Sequence, residues 1–190
     1  MSASVLLMSI SVDGYVAGPG DRPGNPGGDD FMRLHEWYLQ PDGSVGRPAG
    51  EAGAIWDAMD ATGAVVVGRR TAEQVDYYGG EHHGVPLFVV SHDPPSVPYE
   101  QVHFAREIQT AMAQAKEAAG EKDVLVHGAI TARTALQAGV LDELQLSQVP
   151  VLFGSGLRLF DVLPHRIELE VARVIDTPRA THIRYRVKPS

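Results

Sequence analysis

Short apolar segments alternate with helical segments along most of the chain, and this alternation restricts the fold more than any other sequence feature. Apolar or β-branched runs predict buried strands at residues 3–10, 64–68, 86–90, 123–126 and 142–149, with Phe153 continuing the last one. Helical patterns lie between them at residues 31–39, 52–61, 71–77, 108–119 and 131–138. The two final strands, 167–175 and 182–187, are predicted to pair antiparallel. The sequence therefore predicts an α/β fold with a mostly parallel central sheet, helices on both faces and antiparallel C-terminal strands.

Length and composition narrow the class of protein. A chain of 190 residues suits one domain, 1–190, and can bury a large core without metals or disulfides. It contains no cysteine, which excludes thiolate catalysis and cysteine metal ligands. A net charge of −8 disfavours nucleic acid as a partner. No apolar run is long enough to span a bilayer and the start lacks a charged signal-peptide region, so we expect a cytoplasmic protein without a membrane partner.

Two stretches are predicted to be irregular. Residues 18–30, GPGDRPGNPGGDD, are rich in glycine and proline, and residues 40–53 are also loop-like. Long loops in compact domains are often lids over a site. We therefore expect the first loop to have a functional role of this kind.

Polar residues follow several predicted strands directly, where ligands of open α/β sheets bind. Gly68, Arg69, Arg70 and Thr71 join a strand to a helix start, an arrangement that can hold a phosphate. A tight turn with two solvated arginines explains the same residues equally well.

Two further strand ends carry candidate residues. Ser91 and His92 could receive an anionic group, although an ST-turn before Asp93 accounts for them as well. His127 and the small residues 128–131 end another strand, where a pyrophosphate could approach the main chain. The G-x-G-x-x-G fingerprint is absent, and His127 is better explained as a packed residue than as a catalytic one.

Metal and hydrolase chemistry have no sequence support. His82 and His83 are adjacent and match no zinc-ligand spacing, so we predict solvated loop histidines and no metal site. The G-x-S-x-G motif of many hydrolases is also absent.

Four segments together resemble the dihydrofolate reductase-like superfamily, on the branch of the RibD C-terminal reductase domain. They are SISVDGYVAG, VVVGRRTAEQV, FVVSH and VLVHGAITARTALQAGVLDELQLSQVPVLFGSG, the last being the most specific. The resemblance covers nearly the whole chain and implies a three-layer dihydrofolate reductase-like fold.

The resemblance also implies a cofactor, a reaction and site residues. The cofactor would be NADPH rather than NADH, and the hydride would pass to a small pterin- or pyrimidine-like heterocycle. By position, residues 12–17, from Val12 to Ala17, would flank the nicotinamide, and Ser91 and His92 would lie by the 2′-phosphate. The phosphates and pyrophosphate would be held by Gly68, Arg69, Arg70, Thr71, His127, Gly128, Ala129, Ile130 and Thr131.

Two residues depart from the family pattern. His92 stands where the family often has arginine, and a neutral imidazole is a weaker phosphate partner, which weakens the preference for NADPH over NADH. His127 replaces the first glycine of a Gly-Gly pair, so the cis peptide expected in dihydrofolate reductases is not expected here.

The proton donor and the substrate pocket are less well defined by sequence. Dihydrofolate reductases place an acidic side chain on the helix after the first loop, which makes Asp30, Glu36 and Asp57 candidates for the proton donor. Helix-capping and surface roles explain Asp30 and Glu36 more simply, and water is an alternative source of the proton. Trp37 and Trp56 are candidates for the substrate pocket or the core. Two hypotheses follow: a reductase of a small molecule, or a non-catalytic dinucleotide-binding protein. The resemblance also implies a homodimer.

Overall fold

A computed structural model describes residues 2–40, 42–163 and 165–189. Ten strands are present in this part of the chain: β1 (Ser4–Ser11), β2 (Tyr15–Ala17), β3 (Ala64–Gly68), β4 (Leu87–Val90), β5 (Val102–Ala105), β6 (Val124–His127), β7 (Glu143–Val149), β8 (Leu157–Arg158), β9 (Leu169–Asp176) and β10 (Thr181–Val187). Four α-helices accompany them: α1 (Gly53–Asp60), α2 (Arg69–Gln74), α3 (Ile108–Ala119) and α4 (Ala129–Gln137). Short 3-10 helices occupy Phe31–Leu34, Glu36–Tyr38 and Gly50–Ala52, and Asp76–Gly80 forms a turn with positive φ throughout.

Eight strands form one sheet in the order β5-β4-β3-β6-β1-β7-β10-β9. The six strands from β5 to β7 are parallel, whereas β10 runs antiparallel to both β7 and β9. β2 and β8 form a separate antiparallel pair. The predicted fold class, a mostly parallel sheet with antiparallel C-terminal strands, is confirmed.

Successive side chains of the strands point to opposite faces of the sheet and pack into two hydrophobic layers, one on each face. On one face, Leu6, Val66 and Val126 pack with the alanine-rich sides of α3 and α4. On the other face, Val67 packs with α2, while Leu7 packs with α1 and the first 3-10 helices. Helices on both faces make the fold three-layered. They cover the faces of the sheet and leave the carboxyl ends of the parallel strands open.

Several predicted elements differ from the structure. The helix predicted at residues 31–39 is two 3-10 turns, because Asp30 takes a left-handed backbone (φ 59°) and its side chain caps no amide. The helix predicted at 71–77 begins at Arg69 and ends at Gln74, and the helix predicted at 131–138 begins at Ala129. β2, β5 and β8 were not predicted, and Phe153 lies outside β7.

In the described part of the chain, none of the helices is both long and apolar enough to cross a bilayer.

Candidate active site

A cleft of about 750 Å³ lies where the parallel strands end. Its lining comes from the ends of β3, β4 and β6, from the residues after β5, from the starts of α2 and α4, and from side chains of β1. The loop of residues 18–30 contributes Asp21, Pro26 and Gly27 to its wall. The size falls within the range of about 300–1,000 Å³ that small-molecule sites occupy. The cleft lies beyond the strand ends, where the sequence predicts a site.

Two helices point their N-termini into this cleft. Gly68 precedes α2 and Gly128 precedes α4, and neither helix start is capped by a side chain. Gly128 has a φ of +93°, and a Cβ atom on Gly68 would lie 2.7 Å from Oγ1 of Thr131. Only glycine allows the two turns to approach this closely. The free amides at both helix starts form a cradle that favours anionic groups.

The two predicted arginines line the cleft but are engaged with acidic partners. Arg70 donates from Nη2 to the Asp21 carbonyl and carboxylate at 2.7 and 2.8 Å. Arg69 donates from Nε to Glu73 at 2.6 Å and from Nη1 to the Asp93 carbonyl at 2.6 Å. Both arginines therefore have to share or exchange partners when an anion binds.

The ends of β4 and β5 bring further basic side chains to the cleft. His92 and Arg106 line the same end of the cleft, together with Glu107. Ser91 does not line the cleft, although its buried hydroxyl has no hydrogen-bond partner among the described residues. Arg106 was not predicted, because the strand before it, β5, was not recognised.

Tyr78, His82 and His127 form a polar cluster in the middle of the cleft. The Tyr78 hydroxyl lies 2.9 Å from Nδ1 of His127, and the His82 ring packs edge-on against Tyr78 with 4.6 Å between centroids. Burial lowers the pKa of His127 to about 4 and of His82 to about 3, and it raises the pKa of Tyr78 to about 12. All three groups are therefore uncharged at neutral pH.

An unusual backbone holds Tyr78 in place. Asp76, Tyr77 and Tyr78 all have positive φ, at 46°, 52° and 55°, and Gly79 and Gly80 continue the turn. The turn directs Tyr77 into the core and Tyr78 into the cleft. Each left-handed non-glycine residue costs about 1–3 kcal/mol, and such strain is concentrated at functional sites.

Aromatic side chains enclose the other end of the cleft. Phe31 contacts His35 at 4.3 Å between centroids, His35 contacts Tyr38 at 5.5 Å, and Tyr38 contacts Trp56 at 5.8 Å. Trp37 also lines the cleft, and its Nε1 donates to Oγ of Ser9 at 2.9 Å. Both predicted tryptophans thus border the cleft, while Trp37 is also part of the core.

The three predicted carboxylates do not line the cleft. Glu36 pairs with Arg33 at 2.8 Å and Asp57 pairs with Arg47 at 2.6 Å, both at the surface. Asp30 is exposed, and its left-handed backbone also rules out the predicted capping role. The cleft carboxylates among the described residues are Asp21 and Glu107, which sequence reasoning did not select.

The other predicted site residues lie in different places relative to the cleft. Ala17, His92 and His127 line the cleft, as do residues 68–71 and 128–131. Val12 does not; its side chain is 53% exposed and its amide bonds to the Val151 carbonyl. The description of His82 and His83 as solvated is wrong, because both rings are half-buried and pack edge-on against each other. No cis peptide bond is found among the described residues, and none of their histidine and carboxylate groups has the arrangement of a metal site.

Solved structures identify the class of fold. A protein from Shewanella sp. PV-4 with a provisional riboflavin-biosynthesis assignment superposes with a TM-score of 0.75 at 23% identity, covering 98% of this chain and 99% of that one. A dihydrofolate reductase from Enterococcus faecalis, solved with NADP(H) and RAB-propyl, superposes with a TM-score of 0.62 at 14% identity, covering 98% and 97%. The fold is therefore that of dihydrofolate reductase.

The family follows from the sequence itself. Residues 5–183 match the RibD C-terminal domain, so the chain belongs to that family of NADPH-dependent reductases. No curated protein sequence matches the chain.

The residues of the cleft fit a dinucleotide. The two glycine-headed helix starts can hold a pyrophosphate through main-chain amides, and Arg69, His92 and Arg106 lie at the end of the cleft where a further phosphate would bind. A side chain at position 68 would fill this cradle, as its contact with Thr131 shows.

Proposed function

We propose that this protein is an NADPH-dependent reductase of a small heterocyclic molecule. The observation that carries the proposal is the cradle between residues 68–71 and 128–131, which opens into an aromatic-walled space within the same cleft. One part of the cleft suits phosphates and the other suits a planar ring. Membership of the RibD C-terminal family supports the assignment.

The dinucleotide, when bound, supplies the hydride. The amides of Gly128, Ala129, Ile130 and Thr131 and those at the start of α2 bind its phosphates, while Arg69 and Arg70 neutralise charge. Ala17, which lines the cleft, would flank the ring end of the cofactor. Trp37 and Trp56 exclude water from the substrate side.

The preference for NADPH over NADH is assigned to the far basic end of the cleft. Arg69 and Arg106 are the cationic side chains there, and His92 adds a further donor. A 2′-phosphate adds charge that these groups can pair with, whereas a ribose hydroxyl does not.

The test is a titration of the purified protein with NADPH and NADH, followed by nicotinamide fluorescence. Tighter binding of NADPH is expected, and loss of absorbance at the nicotinamide band with carbonyl, pterin or pyrimidine compounds then identifies the substrate class. Failure of both coenzymes to bind contradicts the proposal.

The second candidate is a dinucleotide-binding protein without catalysis. It is favoured by one observation: Asp30, Glu36 and Asp57 all lie outside the cleft. Coenzyme binding without turnover of any compound in the same screen would support it over the reductase.

We also propose that the chain forms a homodimer through the edge strand β9. Val171 and Val174 on this strand are 58% and 56% exposed, and no strand of the described residues pairs with one edge of β9. A second copy of β9 can pair with this edge about a two-fold axis and cover both valines. Light scattering should give the mass of a dimer, and the mass of a monomer at all concentrations would contradict it.

A further inference from the structure

Charge is divided sharply along the cleft. Its charged residues, in the part of the chain that the structure describes, are Asp21, Arg69, Arg70, Arg106 and Glu107. All of them lie on α2, after β5, or on the loop that Arg70 and Gln74 bind. In the sheet order, these elements stand on the β3-β4-β5 side of β6. We call this part the basic half.

The part over β6 and β1 is uncharged, and we call it the aromatic half. Its lining includes Ser9 of β1 and the rings of His35, Trp37, Tyr38 and Trp56, with Trp37 hydrogen-bonded to Ser9. Tyr78 and His82 follow α2 in the chain and belong to this half through their contacts with His127 at the end of β6. Burial lowers the pKa of His35 as it does that of His82, and it raises the pKa of Tyr38 to about 12. Among the described residues, none of the cationic side chains lines this half, so a phosphate or carboxylate finds no partner of opposite charge there.

The Tyr78 hydroxyl lies at the border between the two halves. Its partner His127 directly precedes Gly128, the residue that heads the phosphate cradle. When Nδ1 of His127 carries the proton, it donates to the Tyr78 oxygen and leaves the phenolic hydrogen free to donate elsewhere. Three strained residues in a row fix this tyrosine in the cleft, which is an independent sign that its position is functional.

We propose that the aromatic half binds an uncharged planar ring with a carbonyl or imine acceptor, and that the Tyr78 hydroxyl donates a hydrogen bond to that acceptor. The proposal rests on the proposed function in one respect, since it reserves the basic half for the dinucleotide. Anionic substrates, including ribose phosphates, are excluded from the aromatic half because a buried unpaired charge costs several kcal/mol or more.

Matched probe compounds test the proposal by binding alone. An acetylnaphthalene carries the carbonyl acceptor, and the isopropenylnaphthalene of the same shape lacks it. Calorimetry gives the dissociation constants, and quenching of the emission from Trp37 and Trp56, the two tryptophans of the chain, reports the site. The wild-type protein should prefer the ketone by about three- to tenfold, the value of one hydrogen bond.

Two tyrosine variants assign the preference to one hydroxyl. Tyr78→Phe should abolish the preference for the ketone, while binding of the isopropenyl compound changes little. Tyr77→Phe is the matched control, because the adjacent Tyr77 hydroxyl is buried, has no hydrogen-bond partner among the described residues and does not line the cleft. It should keep the preference. An unchanged preference in Tyr78→Phe overturns the role of Tyr78.

A second pair of probes tests the charge of the pocket in the wild-type protein. The carboxylic acid of the acetylnaphthalene should bind the aromatic half at least about tenfold more weakly than its methyl ester, because the acid is ionised and the described residues of that half include no cation. Equal affinity, or no quenching by any probe, overturns the proposed ligand class. These titrations contain no dinucleotide, so their failure is distinct from a failure to bind NADPH.

Discussion

The substitution Gly68→Ala tests the phosphate cradle at its narrowest point. Gly68 has φ −79° and ψ 151°, values that alanine adopts without strain. The added Cβ, however, would lie 2.7 Å from Oγ1 of Thr131, which is closer than a carbon and an oxygen approach in folded proteins. The free-energy cost of the substitution therefore comes entirely from crowding of the contact between the starts of α2 and α4.

The expected size of the effect follows from this geometry. Crowding of a packed site costs about 1–3 kcal/mol, and replacing glycine in an allowed conformation returns about 0.4–1 kcal/mol. The variant should therefore fold with a modest loss of stability. Displacing the cradle by a few tenths of an ångström should remove at least one charge-assisted hydrogen bond to the phosphates, worth about 1.5–3 kcal/mol, or roughly tenfold or more in NADPH affinity.

The assay is NADPH titration by fluorescence, with thermal unfolding measured on the same samples. Thr131→Ala removes the crowded hydroxyl, so the double variant should recover part of the affinity lost in Gly68→Ala, and the two effects should be non-additive. Gly120→Ala is the control, because Gly120 has φ +61°, no neighbouring atom within 4 Å of its Cβ position and no place in the cleft. It should lower stability without changing affinity.

A Gly68→Ala protein that is folded and binds NADPH with wild-type affinity would refute the reasoning. The dinucleotide would then not lie between these two helix starts.

Three other predictions follow from the same contacts. Arg69→Ala and Arg70→Ala should each weaken NADPH binding, by about three- to tenfold for one exposed charged contact, and unchanged affinity in both variants would remove these arginines from the site. His127, with its pKa lowered to about 4 by burial, gains a proton on unfolding below pH 6.5, so the stability that its neutral form contributes is lost as pH falls from 6.5 towards 4. The melting temperature should therefore be lower at acidic than at neutral pH. Near pH 5 this residue alone should lower the free energy of unfolding by about 2 kcal/mol. A His127→Asn variant whose stability has the same pH dependence as that of the wild type would contradict this assignment. Val171→Glu on β9 should shift the mass in light scattering from dimer to monomer, and a dimer that persists would place the interface elsewhere.

The fold and the phosphate side of the cleft could be predicted from sequence because their signals are local. The run Ala64–Gly68, followed by two arginines, shows a buried strand, a glycine turn and a helix start within eight residues. The residues from His127 to Thr131 repeat the pattern. Strand ends of this kind meet at one edge of a parallel sheet, so their convergence follows from topology.

The aromatic half could not be predicted in the same way because its geometry is tertiary. Tyr78 reaches His127 through a left-handed turn whose sequence signal, Gly79-Gly80, indicates a bend but not its direction. The helical pattern of residues 31–39 likewise gave no sign that the segment breaks into 3-10 turns and packs its rings over β1. The three carboxylates were selected by analogy with position in the family, and none of them lines the cleft. Asp30 has a left-handed backbone, whereas Glu36 and Asp57 form ion pairs at the surface.

The arginines of α2 show a further limit of sequence reasoning. Their place in the cleft was predictable, but Asp21 of the preceding loop holds Arg70 in the structure. A short motif indicates which side chains converge and does not show which partners they already have.

A crystal structure of the protein grown with NADPH is the most direct test of the central claim. The account predicts the pyrophosphate between residues 68–71 and 128–131, with main-chain amides of both helix starts donating to it, and the nicotinamide ring reaching the border at Tyr78. Coenzyme bound at any other surface, or a fully formed cleft that stays empty at saturating NADPH, would contradict the account.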